Sequence, residues 1–231
     1  MSTYLIVGGS SGIGRTLVDR LLAKNHQLIV WSRERRDLPQ HDHLQFHAVD
    51  VTADDLPKDS IPPTLDGLVY CPGTIDLKSF RSLKPELFRQ SFDINVIGAA
   101  KCIQAAERAL KKSEGSSSVV LFSTVAVSKG MPFHAAVASA KGAVEGLTRS
   151  LAAEFAPQVR VNAIAPSLTD TPLAGSLLKT EDKRQAGAER HPLKRIGQAE
   201  DMAAMADFLL SQEAAFITAQ IIGIDGGLSS L

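Results

Sequence analysis

Two cysteines, two tyrosines and one tryptophan among 231 residues exclude several kinds of protein at once. Cys71 and Cys102 are too few and too ill-spaced for a disulfide framework or a zinc site. Each falls in an apolar stretch, so both are expected to be small buried residues in a reducing compartment. Neither sign of charge is in excess, because 25 Lys and Arg balance 25 Asp and Glu. A nucleic-acid binder would show a basic excess or stripe, so no such partner is expected. No apolar run approaches the roughly 18 residues of a membrane span, so no membrane partner is expected either. The first strand-like run begins at Tyr4, which leaves no room for a signal peptide. The expectation is a cytoplasmic protein.

What is present is a repeated apolar pattern. Strand-like runs recur at Tyr4–Val7, Gln27–Trp31, Leu44–Val49, Leu65–Tyr70, Ser118–Ser123, Val159–Ile164 and Ile221–Asp225. Most are continuous rather than alternating, as in strands covered on both faces. Helical patterns occupy 13–24, 85–112, 134–155 and 199–211. Together they predict an α/β fold, a Rossmann-like, doubly wound, seven-stranded parallel sheet with helices on both faces. No repeat or linker divides residues 1–231, so one domain is expected. The crossovers at 33–43 and 52–64 carry Pro39, Pro57, Pro62 and Pro63 and look poor in helix. Residues 172–197 mix prolines with charges, which suits a mobile flap over a cleft or a plain surface helix pair.

The first strand runs directly into Gly8-Gly9-Ser10-Ser11-Gly12-Ile13-Gly14. A strand, a glycine turn and a helix start in that order make a pyrophosphate site. Glycine lets the backbone approach the ligand, and the free N–H groups of the first helical turn favour anionic oxygens. At the end of the second strand, an acidic residue would bind both ribose hydroxyls and select NAD. Here Ser32-Arg33 stands there, with Arg35 and Arg36 close behind. A guanidinium pairs with a 2′-phosphate and a serine donates to it, so NADP(H) is the predicted cofactor. Arg15 is a further candidate for the phosphate, and Trp31 is either an adenine neighbour or core.

Over nearly its whole length the chain resembles the short-chain dehydrogenase/reductases. The glycine turn, Asp50-Val51, Asn95, Phe122-Ser123-Thr124, Arg160 to Pro166, Asp170-Thr171-Pro172 and Ile221 to Gly227 match that family's motifs in order. The resemblance implies cofactor contacts from Gly8, Ser10, Ser11, Gly12, Ile13, Gly14, Asp50, Val51, Gly73, Lys141, Pro166, Thr169 and Thr171. It implies catalytic roles for Asn95, Thr124 and Lys141, and a homotetramer or dimer through helices 85–112 and 134–155.

The family's proton donor is a tyrosine one helical turn before the lysine. In Val137-Ala138-Ser139-Ala140-Lys141 that position is Val137, which cannot titrate or hydrogen-bond. Tyr70, beside the Cys71-Pro72-Gly73 turn, is a remote substitute. His134 is the better candidate, since 134, 137 and 141 share one helix face. Near a helix start it is expected to be a neutral hydrogen-bond donor. Two functions follow. One is an NADP(H)-dependent oxidoreductase of a small carbonyl or alcohol substrate, its proton coming from His134 or a water held by Asn95, Thr124 and Lys141. The alternative is a non-catalytic NADP(H)-binding sensor or structural subunit.

Overall fold

A computed structural model of the chain describes every residue except Asp54. Seven strands form one parallel sheet: β1 Thr3–Val7, β2 Gln27–Ser32, β3 Leu44–Ala48, β4 Gly67–Tyr70, β5 Ser117–Phe122, β6 Val159–Pro166 and, last in the chain, β9 Ile221–Ile224. Their spatial order is β3-β2-β1-β4-β5-β6-β9. The remaining pair, β7 Thr169–Asp170 and β8 Gly197–Gln198, forms a small parallel ribbon beyond the sheet's carboxyl edge. The helices are α1 Gly12–Leu22, α2 Pro85–Phe92, α3 Gly98–Leu110, α4 Ala126–Lys129, α5 Ala135–Phe155, α6 Glu181–Glu189 and α7 Ala199–Leu210. The expected doubly wound sheet is therefore present.

Both sheet faces are buried, which explains the continuous apolar runs. Leu5, Val7, Leu68, Tyr70, Val119 and Leu121 point into a core shared with α3 and α5. The alternate residues Tyr4, Ile6, Val69, Val120 and Phe122 point into a second core under α1 and α7. Each such aliphatic side chain contributes about 1.5–3 kcal/mol when fully removed from water. Trp31 is fully buried, and its indole N–H donates to Ser60 Oγ at 3.0 Å, so it is core. The 33–43 crossover has no helix, and the described part of 52–64 has only a turn of 3-10 helix at Lys58–Ser60.

The family-like segment Arg160 to Pro166 acts partly as scaffold. Arg160 lies buried in β6 and donates to the carbonyls of Leu209 and Ser211, at 2.9 and 3.1 Å, where α7 ends. Asn162 donates to the Ile217 carbonyl and accepts from the Gln220 N–H, which registers the chain for β9. On the same sheet face, Asp207 of α7 accepts from Arg20 of α1 and from Lys24 just beyond it, each at 2.6 Å. Asp207 is nearly buried while both cations are half exposed, so the pair of bonds clips two helices together. Asp207→Asn is expected to lower the unfolding free energy by about 1–3 kcal/mol in urea titration, since charge-assisted bonds are lost.

Candidate active site

Strand β1 lies between β2 and β4, and the chain leaves the sheet in opposite directions on its two sides. That reversal opens a crevice at the carboxyl ends of the strands. The glycine turn sits in it. Gly8 (φ +79°) lies against Pro72, where a Cβ would come within 3.0 Å of the proline ring. A Cβ on Gly14 would collide with the Gly8 carbonyl oxygen. Gly12 (φ +52°) faces Thr171, so the segment after β6 closes against the turn. Ser11 caps α1 with extended backbone, and its hydroxyl makes no capping bond. The first turn of α1 carries no acidic residue, which keeps the helix start electropositive.

The ribose end of the crevice is polar and underused. Ser32 Oγ is buried with no partner among the described residues. Arg35 bonds to the Pro39 carbonyl and lies over the Phe46 ring, and Arg36 pairs with Glu34. Arg15 is held by Asp19 and the Asp37 carbonyl, so it is already engaged. Arg33 is exposed and makes no ion pair or hydrogen bond among the described residues. Asp50 accepts from the Thr52 N–H and hydroxyl, and these bonds hold its carboxyl below the usual range. Val51 packs against the core and Gly98. These residues suit an adenosine phosphate in chemistry.

The other half of the crevice widens into a cleft of about 460 Å³. Ile13, Gly73, Thr124, His134, Val137, Lys141, Pro166, Thr169 and Thr171 all line it. Sequence positions from five separate segments thus meet here. Asn95 stands behind the wall, almost fully buried, with Nδ2 donating to the Ser91 carbonyl at 2.8 Å and Oδ1 unpartnered. A Cβ on Gly73 would lie 3.2 Å from Asn95 Oδ1 and 3.4 Å from Lys141 Nζ, so glycine lets both groups converge. Burial pushes the Lys141 ammonium down to about 8, the nearby Cys71 working in the opposite direction. Burial pushes the Cys71 thiol up to about 12, so it stays protonated. Ser123 donates to Glu145 at 2.7 Å, while the Thr124 oxygen accepts from the Ala126 N–H at 3.3 Å and its hydroxyl proton has no acceptor among the described residues.

Three placements differ from the sequence reading. Residues 85–112 are not one regular helix: Asp93–Ile97 forms a π turn between α2 and α3. Such an inserted residue shifts the helix register and is common at functional sites. Tyr70 explains its position, since its phenol bonds to the Ile94 carbonyl inside that turn. The same bond removes Tyr70 from proton chemistry: it is 2% exposed, and burial raises its pKa further. His134 is also altered. Its Nδ1 lies 2.7 Å from the Pro132 carbonyl, which can only accept. The neutral ring therefore carries its proton on Nδ1 and leaves Nε2 an acceptor, not the donor expected.

The sequence reading missed Ser167 and His191. His191 is buried, with Nδ1 2.8 Å from the Gly187 carbonyl and Nε2 2.8 Å from Ser167 Oγ, and both residues line the cleft. No local pattern announces a bond between residues 24 apart. Segment 172–197, which supplies His191, also carries α6 and the inner wall residues Leu173, Ala174 and Leu177.

A family model described as "Enoyl-(Acyl carrier protein) reductase" matches residues 7–229. The chain is 31% identical to a tropinone reductase homolog of Arabidopsis thaliana, over 97% of this chain and 92% of that one. It superposes on the ligand-free aldohexose dehydrogenase of Thermoplasma acidophilum with a TM-score of 0.90 and 30% identity, covering 99% and 94% of the two chains. ElxO with NADP bound gives a TM-score of 0.88 and 25% identity over the full length of both chains. The chain belongs to the short-chain dehydrogenase/reductase family. Its relatives carry the names of dehydrogenases and reductases, and structural neighbours bind NADP(H).

Proposed function

We propose that this protein is an NADP(H)-dependent oxidoreductase of a small carbonyl or alcohol substrate that moves its proton without a tyrosine at position 137. The observation that carries the reading is the convergence of Thr124 and Lys141 on the cleft that the glycine turn opens into, with Asn95 Oδ1 behind Gly73 in its wall. When bound, the nicotinamide supplies or takes the hydride. Gly8, Ser10, Ser11, Gly12, Ile13 and Gly14 would hold the pyrophosphate, and Pro166, Thr169 and Thr171 would close over the nicotinamide end. Ser32 and Arg33 would hold the 2′-phosphate. Lys141 would bind the nicotinamide ribose and stabilise a developing alkoxide by its charge, while Thr124 orients the substrate oxygen. Segment 172–197 would serve as the cleft's moving cover. Self-association into dimers or tetramers through α3 and α5 is part of the same reading, as is a cytoplasmic site of action.

Arg33→Ala should weaken NADPH binding about 10–100-fold and leave NADH binding unchanged, since one charge-assisted phosphate contact is worth about 1.5–3 kcal/mol. Titration calorimetry with both nucleotides measures this. Equal losses for the two would remove Arg33 from phosphate recognition.

The buried, apolar Val137 favours a second reading, a nucleotide-binding sensor or structural subunit. That reading expects NADPH binding without turnover of any carbonyl compound.

A further inference from the structure

We propose that Ser167 and His191 form the proton path that the apolar side chain at position 137 withholds. The inference rests on the oxidoreductase reading above. It starts from a process of elimination inside the cleft. Val137 has no proton to give. Tyr70 is spent on the Ile94 carbonyl, and the Cys71 thiol is held protonated by burial. His134 has the same Nδ1–carbonyl bond, to Pro132, but no hydroxyl on its Nε2 among the described residues.

Ser167 and His191 add the hydroxyl that His134 lacks. The Gly187 carbonyl can only accept, so Nδ1 of the neutral His191 ring carries the hydrogen and Nε2 accepts from the Ser167 hydroxyl. A base fixed in one tautomer by a carbonyl, with a hydroxyl on its free nitrogen, is the pattern of an activated hydroxyl. Ser167 follows Pro166 on the segment that faces the glycine turn, and it lines the same cleft as Thr124, Val137 and Lys141.

A second cavity of about 340 Å³ lies behind this pair, lined also by Arg195, Asp201 and Asp225. Ser167 and His191 are the residues that line both spaces. They form a polar wall shared by the cleft and this second, charged cavity.

The step balances in both directions. In alcohol oxidation the carbinol carbon gives a hydride to NADP+ and its oxygen gives a proton to Ser167 Oγ. Ser167 passes its own proton to His191 Nε2, and, after the ketone leaves, the imidazolium returns that proton through Ser167 to water in the cleft. In carbonyl reduction the imidazolium returns a proton through Ser167 to the oxygen as NADPH delivers the hydride. Ser167 is then the catalytic residue, and His191 is a positioning residue that acts through it.

The test compares wild type, Ser167→Ala, His191→Gln and His191→Ala with NADPH and cyclohexanone, acetophenone and phenanthrenequinone. The expected result is a kcat lower by about 10²–10⁴-fold in each variant, the usual worth of acid–base catalysis. NADPH affinity by fluorescence stays unchanged, and added imidazole restores activity to His191→Ala alone. In ring-nitrogen NMR, Ser167→Ala moves the His191 Nε2 resonance and leaves Nδ1 protonated. Wild-type turnover with undiminished kcat in Ser167→Ala and His191→Gln overturns the relay and leaves the oxidoreductase reading standing. A wild type that binds NADPH and reduces none of the three overturns that reading, and the relay falls with it.

Discussion

Lys141→Met is expected to raise the melting temperature of the nucleotide-free protein while abolishing its activity. Lys141 is 8% exposed, and burial holds its ammonium near 8 against an ordinary value of 10.5. Each unit of that shift is worth about 1.4 kcal/mol, so keeping the ammonium charged at neutral pH costs the fold about 3 kcal/mol. A methionine of similar length removes that cost. In a domain of this size the gain corresponds to about 5–10 °C. The sign follows from proton linkage. Between pH 8 and 10.5 the unfolded chain binds more protons at this site than the folded chain, so the site's contribution to stability improves as pH rises through that window. The advantage of the methionine variant should therefore be full at pH 7 and shrink towards pH 10. Activity moves the other way: carbonyl reduction by wild type should decline above about pH 8 as the Lys141 charge is lost. Melting curves at both pH values, with a pH–rate profile, measure the two halves. A methionine variant less stable than wild type at pH 7 would refute the assigned cost of burial.

Gly14→Ala should cost both the nucleotide and part of the fold. Its added methyl would meet the Gly8 carbonyl oxygen and the Gly9 Cα, all of them backbone, so no side chain can rotate away. The turn must open, at a cost of about 1–3 kcal/mol for a forced overpacking. NADPH affinity should fall at least about 100-fold, because the displaced N–H groups are those aimed at the pyrophosphate. Gly146→Ala in α5 is the control, since its Cβ would meet nothing within 4 Å. That variant should gain about 0.5–1 kcal/mol from helix propensity and keep its nucleotide affinity. Calorimetric titration and urea unfolding of the two variants measure the contrast. Equal nucleotide affinities would show that the tight turn is not the phosphate site.

The elements most legible in the sequence are those whose side chains are set by local period. The seven sheet strands, α1, α5 and α7 all bury long apolar faces, and their pattern gives each to within a few residues. The β7–β8 ribbon is not legible and α6 only as one of two readings of 172–197, because they are short and polar and depend on the β6 exit for their place. The π turn at Asn95 was hidden for another reason. Its extra residue leaves the apolar sequence pattern helical, and its nearest partner, Tyr70, is 24 positions away. The candidate site divides in the same way. The glycine turn, Ser32-Arg33 and the Val137–Lys141 face follow from adjacent residues. The Ser167–His191 bond and the meeting of Gly73 with Asn95 and Lys141 exist only once the sheet has brought distant loops to one edge.

The measurement that bears most directly on the account is NADPH consumption, followed at the nicotinamide absorbance, by wild type and Val137→Tyr across ketones, aldehydes and quinones. The account predicts that wild type turns over at least one of them. Turnover by Val137→Tyr alone would contradict it, and would mean that the scaffold binds nucleotide while valine keeps carbonyl chemistry switched off.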